Sequence, residues 1–266
     1  MLKDHPGLEQ TLLKISQMNS DKYFLKHSLV FLSALIVFLL SSPLYADGAS
    51  GGTFIDKVYH PYVQPHEREF EWRGTYKKDS ENRNQDNAQR HKLAYAQSFN
   101  ERWMGEIYLV GEKNRDQDFK LVSVELEALW QITEQGEYDY DWGMLFEAEH
   151  ETEEHISEIS SALLIEREWG KWVGTANLYL IYEWGSHIDN KLETAMALQG
   201  RYRLSRQLEP AIEFYSSNTS EGIGPVLLGT IKLGGRKQIR WEAGVIAGLD
   251  NETADETYKF SIEFEF

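Results

Sequence analysis

The 266-residue chain contains no cysteine, so no disulfide can staple it and no thiol can carry a lipid anchor. An exported chain of this kind must draw its stability from its sheet. Basic residues are also in short supply, with 27 lysines and arginines against 43 aspartates and glutamates, a formal net charge of −16. Phosphate binding needs a basic surface, so the deficit excludes nucleic acid as a partner. It equally excludes attachment to anionic lipid through a basic patch. No glycine-rich phosphate loop is present, and Gly51-Gly52 is linker. Long apolar runs are missing with one exception. Ser28 to Leu40 is almost wholly apolar, follows Lys22 and Lys26, and leads into Ser41-Ser-Pro-Leu-Tyr-Ala46. That order describes a secretory signal peptide with Leu44 and Ala46 at the positions a signal peptidase reads. A permanent anchor would need about 18 apolar residues, whereas this core is short and a small-residue site follows it. The leader is long and mixed in charge, and Met18 is a second candidate start.

What the chain does have is alternation. Its last nine residues, Tyr258-Lys-Phe-Ser-Ile-Glu-Phe-Glu-Phe266, switch between apolar and polar without a break. In a strand, Tyr258, Phe260, Ile262, Phe264 and Phe266 share one face, and Lys259, Ser261, Glu263 and Glu265 the other. One face suits lipid and the other water. This ending resembles the C-terminal signal strand of bacterial outer-membrane β-barrels, which the barrel-assembly machinery recognises. The resemblance is to an architecture and not to a particular family within it. It implies an all-β fold, an antiparallel up-and-down transmembrane β-barrel, preceded by a cleaved signal peptide.

About twelve alternating segments follow the leader, over 67–77, 90–99, 103–111, 119–132, 138–149, 156–169, 172–185, 192–204, 208–216, 223–233, 238–249 and 257–266. Each approaches the roughly 9–11 residues of a tilted membrane strand. Connections after the even-numbered segments read as tight, and the others as longer and polar, so both termini are expected in the periplasm. Trp103, Trp130, Trp169, Trp172 and Trp241 near the tight turns read as an interfacial girdle. Pro210 and Pro225 call for bulges or strand ends. The expected organisation is a signal peptide at 1–46, a flexible periplasmic segment at 47–65 and an outer-membrane barrel at 66–266. A soluble sandwich or lipocalin-like barrel would reverse inside and outside. Its packed interior could not hold so many aromatics from twelve strands.

With the aromatic face toward lipid, the lumen receives Glu69, Glu71, Arg73, Glu125, Glu127, Asp139, Asp141, Glu147, Glu149, Arg201, Arg203, Arg240, Glu242 and Glu263. Carboxylate rings attract cations, so the expected function is a channel or passive transporter for small cationic or polar solutes. The alternative is a barrel filled by Glu–Arg ladders, with a structural or surface-interaction role. Barrels of about eight strands are filled and those of sixteen or more are open. Twelve lies between. Expected partners are outer-membrane lipid and lipopolysaccharide.

Twelve-stranded barrels also include lipid-acting hydrolases that pair a histidine with a serine or an acid. His91, His150, His155 and His187, with Ser157, Ser186, Ser216 and Ser217, are the available residues, but their spacing matches no catalytic signature. No catalytic residue is therefore assigned. His150-Glu-Thr-Glu-Glu-His155 has metal-like composition, but a polar loop is the better reading. His60 and His66, flanking Pro61 and Pro65, read as structural. No cofactor or metal site is expected.

Overall fold

The computed structural model describes residues 54–82, 85–115, 118–153 and 155–266, and all that follows concerns these. The signal peptide expected at 1–46, residues 47–53 of the lead-in and Glu154 of the histidine loop lie outside them. The described fold is twelve antiparallel strands. In chain order they are β1 (Arg68–Lys78), β2 (Gln89–Ser98), β3 (Trp103–Lys113), β4 (Lys120–Gln131), β5 (Asp141–Glu151) and β6 (Ile156–Trp169). The second six are β7 (Trp172–Gly185), β8 (Lys191–Tyr202), β9 (Glu209–Ser216), β10 (Glu221–Gly234), β11 (Lys237–Gly248) and β12 (Glu256–Glu265). Each strand pairs with its sequence neighbours, and β1 pairs with β12, so the sheet closes into a barrel with no free edge. Closure leaves no strand with an unpaired edge, the condition for a β-structure in hydrocarbon. Among the described residues there is no helix.

Strict alternation decides inside from outside. In β12, Thr257, Lys259, Ser261, Glu263 and Glu265 are buried, whereas Tyr258, Phe260 and Ile262 face out. In β1, Glu69, Glu71, Arg73 and Thr75 are buried between outward-facing Phe70 and Trp72. A charged inner face and an apolar outer face invert the arrangement of a soluble barrel. At the end where β1 begins and β12 finishes, Trp103 and Trp130 are register partners whose rings stack 5.5 Å apart. Trp172 packs on Tyr202 at 4.9 Å at the same end. Gly170, with φ 64°, occupies the first position of the two-residue β6–β7 turn, where a positive φ matches the twist of the hairpin.

Three details depart from the sequence reading. Connection lengths do not alternate cleanly. The β4–β5 connection spans 132–140, while β5–β6 and β9–β10, at the opposite end, take only 152–155 and 217–220. Pro225 lies inside β10 facing outward, and the β10–β11 ladder omits Gly224 and Pro225 before resuming at Val226↔Gly244. The missing N–H is thus absorbed by a gap in the ladder, while Pro210 is the second residue of β9.

The third departure matters most. The described part of the lead-in, from Phe54, does not hang outside the barrel but runs up its interior. Ile55, Val58, Tyr59 and Val63 are buried, packed against inward-facing apolar residues that include Leu129, Leu145, Leu164, Ala197, Val226 and Ile246. Each such side chain gains roughly 1.5–3 kcal/mol from burial. Gly143 of β5 faces this segment, and a Cβ there would lie 2.9 Å from the Pro61 side chain. The flexible reading failed because the inner face is not uniformly polar. It carries apolar rows that the segment's own apolar residues cover.

Candidate functional site in the lumen

The lumen has two parts, and the first is the half nearest the start of β1 and the end of β12, occupied by residues 54–66. Polar side chains on the wall hold this strap by its backbone. Tyr59 N–H donates to Asn177 Oδ1 at 2.7 Å, and Asn177 Nδ2 donates back to the Tyr59 carbonyl at 2.8 Å. Val63 N–H donates to Gln131 Oε1 at 2.7 Å, and Arg236 donates to the Pro65 carbonyl at 2.9 Å. These amides replace the ladder partners that an isolated extended segment lacks.

Ion pairs then fix the strap's register. Arg73 lies 3.0 Å from Asp56, 3.0 Å from Glu71 and 3.5 Å from Glu127. Lys57 lies 3.3 Å from Glu71 and 2.7 Å from Glu263. Tyr59 OH donates to Glu127 at 2.6 Å and accepts from Arg73 at 3.1 Å, while Tyr62 OH donates to Asp141 at 2.7 Å. His60 Nδ1 sits 2.5 Å from Glu166, which also accepts from Thr175. Burial works against ionising Asp56, yet the adjacent Arg73 and Lys92 outweigh it and hold its carboxyl well below the usual range. Burial likewise opposes the charge on Lys57, and Glu263 and Glu71 reverse this, holding the ammonium well above its ordinary value. Burial pushes the Tyr59 phenol well up, so it remains a donor.

The second part is a vestibule at the opposite end, a cavity of about 200 Å³ floored by Phe54, Asp56, Lys57 and Tyr59. Its described lining carries nine carboxylates and four basic groups. Arg90 lies 2.7 Å from Glu149, and Lys92 lies 2.8 Å from Glu125. Ser123 donates to Glu149, and Ser160 donates to Glu147. Glu158 and Glu193 also line the cavity. Acids therefore outnumber bases around this cavity, as they do in the chain as a whole.

Most of the residues singled out from the sequence lie in these two places. Glu69, Glu71, Arg73, Glu127, Asp141, Glu242 and Glu263 are buried in the strapped half, where Lys259 lies 2.6 Å from Glu242 and 2.7 Å from Glu213. Glu125, Glu147 and Glu149 line the vestibule. Arg201 lies 3.2 Å from Glu209, and Arg240 lies 2.5 Å from Glu265. Two residues fall elsewhere. Asp139 is exposed in the β4–β5 turn, because β5 begins only at Asp141. Arg203 lies just past the end of β8 and pairs at 2.6 Å with Glu168, the last residue but one of β6. The aromatic row of β12 lies on the outer face, with Phe266 stacked 5.7 Å from Phe70.

Sequence reasoning missed Asp56, Lys57, Tyr59, Tyr62, Asn177 and Gln131. The available signal was Leu145 and Leu164, apolar residues on otherwise polar faces that required an apolar partner inside. His150 Nδ1 does lie 2.9 Å from Ser157 Oγ on the outer face, but among the described residues no carboxylate forms an ion pair with His150 to orient it.

No protein-family model matches the chain, and no curated protein matches it in sequence. Among solved structures, an outer-membrane channel from Pseudomonas putida F1 superposes with a TM-score of 0.55 at 10% identity, covering 77% of this chain and 97% of that one. The KdgM porin superposes at 0.48 and 10% identity, covering 74% and 99%. The NanC porin superposes at 0.47 and 11% identity, covering 74% and 98%. At such identities the likeness is one of fold. The chain has the architecture of the bacterial outer-membrane β-barrels.

Proposed function

We propose that this protein is an outer-membrane channel for small solutes, entered through an acidic, cation-preferring vestibule and closed in this conformation by residues 54–66. The observation that carries the reading is the vestibule itself, a solvent-open cavity whose lining bears nine carboxylates and four basic groups. Carboxylate-lined constrictions concentrate cations and repel anions. A closed barrel with an apolar exterior supports a membrane location, and the Trp103–Trp130 pair supports a belt at one interface. On this reading residues 1–46 are removed on export, both termini lie in the periplasm, and the vestibule opens outward among lipopolysaccharide. The β12 aromatic row, Tyr258 to Phe266, then serves as the strand the assembly machinery engages.

One observation favours a second reading. The strap makes so many buried contacts that the barrel could be permanently filled and serve as a structural or surface-interaction element. Conductance in planar bilayers under a salt gradient separates the two. The purified protein is compared with the Asp56→Ala/Tyr59→Ala variant, which releases the strap without altering a strand. The channel reading expects low or intermittent current from the parent and steady current from the variant, with a reversal potential that favours cations. A variant that folds, as judged by its heat-dependent gel shift, and still conducts nothing would establish the filled barrel. Steady anion-selective current would overturn the cation preference.

A further inference from the structure

The seam that closes the barrel sets acid against acid twice in succession. β1 and β12 place Glu71 opposite Glu263 and, two residues along on the same face, Glu69 opposite Glu265. Like charges directly opposite each other across a strand pair are destabilising, so each pair needs a positive group between its members. The first pair has one. Lys57 lies 3.3 Å from Glu71 and 2.7 Å from Glu263, and Arg73 stands 3.0 Å from Glu71.

The second pair is different. Arg240 lies 2.5 Å from Glu265, and Gln238 donates to the other oxygen of that carboxylate. Glu69, only 3% exposed, has neither a hydrogen bond nor an ion pair among the described residues. Just before β1, Glu67 adds a third carboxylate. Its Oε1 is buried without a hydrogen-bond partner, and Arg240 comes no closer than 3.8 Å. One oxygen from each of Glu67, Glu69 and Glu265 lies within 4.8 Å of the others. A buried carboxylate with no counter-charge is costly, and Glu69 is in that position beside two further carboxylates that share the single guanidinium of Arg240.

We propose that Glu67, Glu69 and Glu265 bind a divalent cation of the calcium class, which clamps β1 to β12 where Lys57 does not reach. Calcium takes carboxylate oxygens at about 2.3–2.6 Å, so oxygens on one ion stand no more than about 5 Å apart, and its irregular coordination tolerates a set drawn from two strands and a connecting residue. The spacing here fits that limit. The clamp concerns how the barrel is closed, so it holds whether or not the lumen conducts.

The test is thermal unfolding of the purified protein in detergent, followed by the gel shift between folded and unfolded forms, in EDTA and in millimolar calcium chloride. Calcium is expected to raise the unfolding temperature of the parent. Glu69→Gln should lose that response and, with the repulsion across the seam removed, unfold in EDTA no earlier than the parent does. Glu67→Gln, which alters no strand, should lose the response as well, while the exposed turn variant Glu101→Gln keeps it. The absence of a calcium response in the parent would overturn the proposal, as would an undiminished response in Glu67→Gln and Glu69→Gln. Stabilisation by mild acid in EDTA without any calcium response would also overturn it, since the seam would then share a proton and not a metal.

Discussion

The two ends of this lumen are built from the same strands and end differently. Toward the start of β1, wall carboxylates such as Glu71, Glu127 and Glu263 meet Lys57, Arg73 and Tyr59 and are buried. Toward the loops, Glu147, Glu149 and Glu158 line a cavity of about 200 Å³ that remains open to solvent. The wall chemistry hardly differs. What differs is whether chain lies against it. A charged inner face can thus be either a pore lining or half of a buried ion-pair network, and residues 54–66 decide which. Because a buried charge needs a partner and a solvated one does not, equivalent substitutions at the two ends should have unequal consequences.

The largest effect is expected at Arg73, which is 3% exposed and joins strap to wall through Asp56, Glu71 and Glu127. Breaking a buried network by removing one partner costs about 3–5 kcal/mol. Arg73→Ala should therefore lower the midpoint of urea unfolding in detergent by a corresponding amount, and it should also free the strap. Tyr59→Phe comes next. It keeps the ring but deletes the donor to Glu127 and the acceptor for Arg73, at a cost of about 1.5–3 kcal/mol for a hydrogen bond to a charged group. If Tyr59→Phe proved as costly as Arg73→Ala, the phenol and not the guanidinium would be the main anchor.

Acidity offers a gentler probe of the same half. Against the burial penalty, Arg73 and Lys92 hold Asp56 well below its ordinary value of 3.8. A carboxyl depressed on docking contributes its full stabilisation above the unfolded value and loses it as pH falls toward the docked one. This contact should keep its strength across the neutral range and weaken only below pH about 4. Protease cleavage after Lys57, measured against pH in parent and Asp56→Asn, checks this. An Asp56-dependent rise in cleavage between pH 5 and 7 would contradict it.

How much of this was legible in the sequence follows the same division. Strand positions were readable because period-two alternation repeats over ten or so residues, and β5, β7 and the C-terminal strand carry it almost unbroken. The inward face of β1 and β12 followed from the same period. Asp139 was misplaced because alternation was extended backward into a turn, where Gly136 adopts φ 73° and the strand has not yet begun. The strap was missed for a stronger reason. Residues 54–66 have no internal period of their own; they are ordered by Asn177, Gln131, Arg73 and Glu263, none nearer in sequence than Arg73. Pairing across such distances leaves no local trace. Only the apolar residues Leu145 and Leu164, placed on a face meant for water, hinted that something covered them.

The vestibule supplies the smallest stability change and the sharpest functional one. Glu158 and Glu193 line the open cavity half-buried and make no hydrogen bond or ion pair among the described residues, so Glu158→Gln/Glu193→Gln breaks no contact and should alter unfolding by no more than about 0.5 kcal/mol per site. The same pair removes two of the nine carboxylates around the cavity and leaves its four basic groups in place. Measured in the strap-released background, the variant should therefore pass cations with less preference over anions at unchanged stability. The opposite combination, a clear loss of stability with selectivity intact, would mean that these two acids belong to a buried network after all. The boundary between the filled and open parts of the lumen would then have to be moved toward the loops.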